Sequence, residues 1–367
     1  MLLPIVFSNH CDLDCTYCCI QSKNMSPFLD LNKIDDFINT YSTNKNVVEF
    51  YGGEPTLHKD LIFDTIKLIS NKYSDKKFSY RLYTNGVFKD YSNEDISFIA
   101  NNIDEILLSL DGFDYEDNTK RFNSLEEYNS VIRNLKTLID NGANVGISSV
   151  LYNISNYSNI YKNYKKFFDI GVRYFSYEPL TVFQTDKAVV IPHKFMKAFI
   201  ENIYKVIKDI SDNNIIGEVE LFIAKELLSS SWYNDGEKTQ CSKWIRALSP
   251  RGNIYMCRDH AANEEEMFFS PKVIQFFNKN NLKIDNGSFP FIEKNENNLT
   301  LCSVKNIQYR DLKIDDKLYW LSDEWQDLII RPLYQIVMAI DVGDKTISPF
   351  IDKYIFNLPK IFERLKI

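Results

Sequence analysis

Six short apolar segments rich in β-branched residues recur along the first half of the chain, and each is followed by a segment with helical periodicity. Strands are expected at residues 2–7, 47–51, 78–83, 106–110, 144–152 and 172–177. Helices are expected at residues 31–41, 61–69, 95–100, 125–139, 161–170 and 192–210. Regular alternation of this kind predicts a parallel sheet with right-handed crossover connections. The sequence therefore predicts an α/β fold.

Polar residues and glycines stand at or just after the end of every predicted strand. In chain order they lie at positions 11–18, 52–54, 84–85, 109–111, 148–149 and 178. Because parallel α/β folds gather their ligand chemistry at the carboxyl edge of the sheet, we expect these positions to surround one site.

Three cysteines crowd into the loop after the first strand, which we call the cysteine loop (residues 8–19). Cys11, Cys15 and Cys18 have the spacing C-x3-C-x2-C, with the aromatic Tyr17 before the third. Clustered thiolates are soft ligands that select zinc or an iron–sulfur cluster. Cys19 is adjacent to Cys18, and neighbouring residues rarely bind one compact centre together. The spacing predicts three ligands and one open metal position, with a zinc knuckle as the alternative.

A second motif, Gly52-Gly53-Glu54-Pro55, follows the second predicted strand. We call its first three residues the GGE turn. Two glycines without Cβ atoms allow the backbone to approach a ligand closely, and the carboxylate of Glu54 can accept a hydrogen bond from an ammonium group. An ordinary strand-to-helix turn is the alternative, because Gly, Glu and Pro suit turns.

Together, the two motifs resemble those of the radical S-adenosylmethionine (SAM) superfamily over residues 1–180. The resemblance implies an open (β/α)6 partial TIM barrel in which Cys11, Cys15 and Cys18 hold a [4Fe–4S] cluster. SAM binds the fourth iron, the GGE turn contacts its amino group, and cleavage yields a 5′-deoxyadenosyl radical that abstracts hydrogen. It also places Ser109 and Arg121 near the SAM carboxylate and ribose, although Arg121 could equally be a surface arginine. Further implied cofactor contacts are Asn85 and Ser148.

A cysteine pair at a predicted hairpin lies farther along the chain. Cys241 and Cys257 stand in the pattern C-x10-G-x4-C, with the turn at residues 250–252. The pattern resembles the opening of a SPASM or Twitch extension, which binds auxiliary [4Fe–4S] clusters, but the dense cysteine array of a full SPASM domain is missing. Cys302 is the remaining candidate ligand, and Asp259, His260 or substrate could supply a fourth. A hairpin without a cluster and a zinc site are the alternatives.

These observations suggest three regions: a radical SAM core over 1–228, an auxiliary α+β region over 229–310 and a helical segment over 311–367. The net charge is −7, which argues against broad nucleic-acid binding because such binding relies on Lys and Arg. No secretory signal or membrane-length apolar run is evident, so we expect a cytoplasmic protein whose cysteines bind metal rather than form disulfides.

The resemblance implies a peptide or protein side chain as the substrate, with cross-linking, epimerisation or oxidation as the reaction. It also implies a flavodoxin- or ferredoxin-type electron donor. Oxidation or epimerisation of a small molecule, such as a sugar or aminocyclitol, is the enzymatic alternative. It is favoured by the acidic composition and by the lack of a leader-binding module before the first strand. The non-enzymatic alternative is a structural or redox-sensing metal protein.

Overall fold

The computed structural model describes residues 1–18, 20, 29–179, 193–223, 245–255, 258–262 and 326–365. Nine strands in these residues form one sheet. The strands are β1 (Leu2–Val6), β2 (Lys45–Tyr51), β3 (Lys77–Thr84), β4 (Glu105–Ser109), β5 (Val145–Leu151), β6 (Tyr174–Pro179), β7 (Glu220–Ile223), β8 (Ala247–Leu248) and β9 (Ile254–Tyr255).

The sheet order is β7-β6-β5-β4-β3-β2-β1-β8-β9. Every neighbouring pair is parallel except β8 and β9, which pair antiparallel. The first seven strands therefore follow chain order across the sheet, as expected when each new strand is added by a right-handed crossover. The α/β class and the open, barrel-like arrangement of the first six strands are confirmed.

Helices connect the first seven strands in turn, and three further described helices follow the last described strand. They are α1 (Leu31–Tyr41), α2 (Lys59–Lys72), α3 (Asn93–Asn102), α4 (Leu125–Asp140), α5 (Ile154–Asp169), α6 (His193–Asp212), α7 (Arg258–Ala262), α8 (Arg331–Asp341) and α9 (Ser348–Leu365). Side-chain caps fix several of their starts: Ser92 and Ser124 accept hydrogen bonds from the third backbone N–H of α3 and α4. Gly142 follows α4 in the left-handed conformation, with φ of 83°, and ends that helix.

The two faces of the sheet differ in chemistry. Residues such as Val48, Phe50 and Leu82 are fully buried in the large apolar core that includes the helices. Their neighbours in the strands point to the opposite face because side chains alternate along a strand. On that face, Arg81 of β3 lies in register between Glu49 of β2 and Glu105 of β4 and forms ion pairs with both. This face of the sheet, which we call the inner wall, therefore carries a row of charged side chains across β2, β3 and the first residue of β4.

The structure corrects three details of the sequence prediction. Helix α5 begins at Ile154 rather than 161, because the Asn153 side chain caps it. Strand β7 follows α6 and pairs in parallel with β6, so the barrel has a seventh strand that the sequence pattern did not reveal. Within the predicted helical segment 311–367, a π-helical turn over Gln326–Ile330 precedes α8.

The predicted hairpin around residues 250–252 is confirmed. Ala247 pairs with Tyr255 and Leu248 with Ile254, while Gly252 adopts φ of 92° in the turn. The hairpin extends the sheet, because Leu248 pairs in parallel with Ile5 of β1. None of the helices within the described ranges combines the length and the apolar character needed to cross a lipid bilayer.

Candidate functional site

The cysteine loop lies directly against the GGE turn. The backbone N–H of Gly53 donates to the carbonyl of Ser8 at 3.0 Å, and that of Glu54 donates to the carbonyl of His10 at 2.8 Å. A Cβ atom on Gly53 would lie 2.2 Å from the His10 carbonyl oxygen, and one on Gly52 would lie 2.4 Å from that of Ser8. The two glycines therefore permit a close approach by the loop's own backbone. Their predicted contact with a cofactor stays a prediction.

The three predicted ligands Cys11, Cys15 and Cys18 form no disulfide among the described residues and have intermediate exposure. The Cys11 sulfur accepts a hydrogen bond from the Leu13 N–H at 3.4 Å, and the Cys15 thiol lies 3.9 Å from the Arg121 carbonyl. Burial raises the pKa of the Cys11 thiol to about 12, with the nearby Glu54 adding to the effect. Because a metal binds the thiolate, cluster assembly must release this proton.

Among the residues that the structure describes, no three His, Cys, Asp or Glu side chains converge closely enough to hold one metal ion. A multi-iron cluster spreads its thiolate ligands more widely than a single ion does, so this observation concerns single-ion sites. Three soft thiol ligands on one short, partly exposed loop remain suited to an iron–sulfur cluster.

The carboxylate of Glu54 is 2% exposed and accepts four hydrogen bonds from the chain itself. One oxygen accepts from the Thr56 N–H at 3.0 Å and from the hydroxyls of Thr56 and Thr84 at 2.7 and 2.8 Å. The other accepts from the Asn85 N–H at 2.6 Å. Burial outweighs these donors and raises the pKa of Glu54 to about 7. The carboxylate thus ties the GGE turn to the end of β3, and its contact with an ammonium group stays a prediction.

Asn85, predicted as a cofactor contact, lies beside the cysteine loop. Its amide nitrogen donates to Asp12 at 2.6 Å and lies 3.9 Å from the Cys11 sulfur. The side-chain oxygen accepts from the Val87 N–H at 2.9 Å. The end of β3 therefore holds the cysteine loop through Asn85 as well as through Glu54.

Arg121 and Tyr17 meet at the carboxylate of Asp111, which was expected at the edge of the sheet but had no predicted partner. Arg121 donates to one oxygen of Asp111 at 2.8 Å, and the Tyr17 hydroxyl donates to the other. Asp111 and Arg121 are 1% and 8% exposed, which rules out a surface arginine. The Nε atom of Arg121 is buried without a hydrogen-bond partner among the described residues. Its N–H is thus the kind of unsatisfied donor that a bound anionic group could engage.

Ser109 and Ser148 are register partners on β4 and β5, and Ser148 is in register with Ser176 of β6. All three lie on the wall opposite the helix-covered core, since alternate residues such as Leu108, Ile147 and Phe175 belong to that core. Their hydroxyls thus belong to one continuous row across three strands. Cofactor binding by Ser109 and Ser148 stays a prediction.

The predicted auxiliary ligands Cys241, Cys257 and Cys302 lie outside the described residues. The side chains of Asp259 and His260 are likewise outside the described part of the chain. Of the auxiliary region, the structure describes the hairpin β8–β9 and helix α7.

Comparison with known proteins gives one family match and one similar protein sequence. Residues 5–167 match the model of the radical SAM superfamily. An uncharacterized protein of Methanocaldococcus jannaschii is 30% identical over 119 residues, which cover 31% of this chain and 40% of that protein. The match thus spans less than half of the relative's length.

Solved structures share the fold at low sequence identity. The structure of anSMEcpe with bound AdoMet has a TM-score of 0.56 and 19% identity, covering 70% of this chain and 74% of that one. Streptococcus suis SuiB bound to its precursor peptide SuiA has a TM-score of 0.51 and 17% identity, covering 83% of this chain and 70% of that one.

The cofactors implied by the family are a [4Fe–4S] cluster and SAM. The described residues fit them, because three soft thiols share one loop and the buried Nε of Arg121 offers an unused donor nearby. The Arg121 carbonyl also contacts Cys15, which links this donor to the cysteine loop. The cysteine motif, the parallel sheet and the match over residues 5–167 thus make this part of the chain similar to the radical SAM superfamily.

Proposed function

We propose that this protein is a radical SAM enzyme that abstracts a hydrogen atom from the side chain of a peptide or protein. The proposal rests mainly on one observation: the cysteine loop packs against the GGE turn at the carboxyl edge of a parallel sheet. The expected reaction is cross-linking, epimerisation or oxidation of the substrate. A peptide substrate is supported by the fold shared with SuiB, solved with a precursor peptide, and with anSMEcpe, solved with the Cp18Cys peptide.

Each part of the site has a role in this proposal. When bound, the cluster and SAM supply a one-electron cleavage whose organic radical removes the substrate hydrogen. Cys11, Cys15 and Cys18 hold the cluster, and the GGE turn keeps their loop in place. The further residues proposed to contact SAM are Asn85, Ser109, Arg121 and Ser148. Among these, Arg121 brings a permanent positive charge into a buried position, which suits a carboxylate or ribose oxygen.

The substrate class can be tested with full-length protein reconstituted anaerobically and supplied with dithionite and SAM. We expect short peptides, in particular any encoded beside the gene, to accelerate 5′-deoxyadenosine formation and to change mass in the same sample. Acceleration by sugars or aminocyclitols, with peptides inert, would instead support the small-molecule alternative. The matched control uses the same peptides without SAM, where neither change is expected.

We also propose an auxiliary [4Fe–4S] cluster held by Cys241, Cys257 and Cys302, completed by Asp259, His260 or substrate. Its support is the cysteine spacing and the hairpin β8–β9 between the first two cysteines. Iron analysis of the reconstituted protein should give about eight irons per chain with two cubes and about four with the SAM cluster alone. A value near four irons per chain would contradict the auxiliary cluster. Zinc analysis of the same sample tests the zinc alternative.

The remaining expectations accompany this proposal. Reduction of the cluster calls for a flavodoxin- or ferredoxin-type donor, and thiol ligands of this kind suit a reducing cytoplasm. A structural or redox-sensing metal protein has no need to bind SAM, so SAM binding by the cluster-loaded protein would discriminate against that alternative. The division into regions 1–228, 229–310 and 311–367 is likewise a proposal.

A further inference from the structure

The segment formed by residues 245–255 and 258–262, which we call the docking segment, is built onto the strand that leads into the cysteine loop. Strand β8 pairs with β1 through Leu248 and Ile5, and the Arg246 N–H donates to the Leu2 carbonyl at 3.0 Å. The docking segment therefore shares backbone hydrogen bonds with the radical SAM domain rather than resting on its surface.

A small apolar cluster connects the docking segment to the cysteine loop itself. Its buried members come from β1, the position just after the cysteine loop, the hairpin and α7, and they are Val6, Ile20, Ala247, Tyr255, Ala261 and Ala262. Cys18 and Tyr51 pack against this cluster. Cys18 is a proposed cluster ligand, and Tyr51 directly precedes the GGE turn. A shift of the docking segment would therefore change the packing of both Cys18 and Tyr51, on either side of the proposed SAM site.

Arg258, the first residue of α7, reaches the inner wall of the sheet. Its guanidinium carbon lies 4.9 Å from the ring centre of Tyr51 and 4.3 Å from that of Tyr83. Its Nη1 atom lies 3.5 Å from Glu49, whose side chain is 1% exposed. The two rings of neighbouring strands and the carboxylate together bind one guanidinium by cation–π and ionic contacts.

Charge balance on this wall depends on Arg258. Glu49 pairs through its other oxygen with Arg81, and Arg81 also pairs with Glu105. Two carboxylates are therefore matched by two guanidiniums. Without Arg258, Arg81 alone would serve both carboxylates, one of them fully buried, and a buried carboxylate that loses a partner is strongly disfavoured.

We propose that Arg258 is a positioning residue: it anchors the docking segment to β2 and β3 and thereby fixes the Cys18 side of the cysteine loop relative to the GGE turn. Because Arg258 immediately follows Cys257, the same contact would set the position of the auxiliary ligand, a consequence that rests on the proposed function. The anchoring itself does not, since it involves only contacts within the chain.

Hydrogen–deuterium exchange of the full-length, cluster-loaded protein tests this role with three variants. Arg258→Gln should speed exchange in peptides covering residues 9–20 and 245–262 by about tenfold or more, as expected when charge-assisted contacts are lost. Arg258→Lys keeps the positive charge and should recover part of the protection. Arg251→Gln makes the same chemical change at the exposed hairpin tip and should leave both regions unchanged.

Exchange over residues 105–151 separates local release from general destabilisation, because these residues should keep the protection of the parent protein. Loss of protection in the docking segment alone, with residues 9–20 unchanged, would contradict the proposed coupling between the docking segment and the cysteine loop. Exchange at the parent rate in both regions of Arg258→Gln would show that Arg258 does not anchor the docking segment. A parent protein that makes no 5′-deoxyadenosine would contradict the proposed function while leaving this exchange pattern to decide the role of Arg258.

The affinity for SAM provides a readout that a merely structural role would not move. In the cluster-loaded protein, we expect Arg258→Gln to weaken SAM binding by about tenfold in calorimetry and Arg258→Lys to restore much of the affinity. Full SAM affinity in Arg258→Gln, with α7 shown to be released by exchange, would overturn the positioning role.

Discussion

Replacing Gly53 by alanine is expected to dislodge the cysteine loop and to prevent cluster assembly. The added methyl group would lie 2.2 Å from the His10 carbonyl oxygen and 2.4 Å from that of Asn9. Both are backbone atoms, so no side-chain rotation can relieve the contact. The loop must move away, and the hydrogen bonds from Gly53 to Ser8 and from Glu54 to His10 must lengthen.

Overpacking and the loss of two backbone hydrogen bonds should together lower the free energy of unfolding by about 3–5 kcal/mol. Iron content and cluster absorption after anaerobic reconstitution measure the effect on assembly, and chemical denaturation of the metal-free protein measures the effect on stability. We expect the iron of the SAM cluster to be lost, while any auxiliary iron remains.

Gly142→Ala is the matched control. Gly142 has φ of 83°, but no atom lies within 4 Å of the position that a Cβ atom would take there, so alanine introduces backbone strain without a steric contact. Gly142→Ala should lower the free energy of unfolding by about 1 kcal/mol and leave cluster assembly intact. If Gly53→Ala assembled the cluster as fully as the parent and Gly142→Ala, the packing of the loop against the GGE turn would not matter for the site.

The sequence allowed most of the sheet to be predicted, because buried strands and capped helices have local signals. Helix α1 was predicted at its observed bounds, since its apolar stripe starts beside the capping Asp30. Strand β7 was missed because its four residues, Glu220–Ile223, are too few to show a period. Its place beside β6 is determined by long-range pairing.

The candidate site shows the same division between local and long-range information. The cysteine spacing and the GGE turn were visible as motifs, but their mutual contact was not, because it joins residues over forty positions apart in sequence. The four hydrogen bonds that Glu54 accepts come partly from Thr84 and Asn85 on the next strand. The role of Glu54 in holding the turn was therefore not visible in the local sequence, and its predicted contact with a cofactor stays a prediction.

Asp111 was expected at the edge of the sheet, within positions 109–111, but its ion-pair partner was not predicted. It stands two residues after Ser109, in the same Ser-Leu-Asp-Gly stretch that suggested a cofactor contact. An arginine ten positions later is a plausible ion-pair partner for such an aspartate. The contribution of Tyr17 could not be predicted in this way, because the fold alone brings the cysteine loop against the end of β4.

The proposed function depends above all on the assignment of the cluster that cleaves SAM to the cysteine loop. Its most direct test is 5′-deoxyadenosine formation by a variant in which Cys11, Cys15 and Cys18 are all replaced by alanine. Cys19→Ala is the matched control, since it removes a neighbouring thiol outside the C-x3-C-x2-C spacing. Because thiolates are the cluster's only proposed protein ligands, losing all three removes the iron that SAM must bind.

Parent, control and triple variant are reconstituted anaerobically and incubated with SAM and dithionite, and 5′-deoxyadenosine is quantified by chromatography. The parent and Cys19→Ala should form 5′-deoxyadenosine, and the triple variant should form none above a protein-free sample. Formation of 5′-deoxyadenosine by the triple variant at the rate of the parent would contradict the assignment of the SAM cluster to this loop.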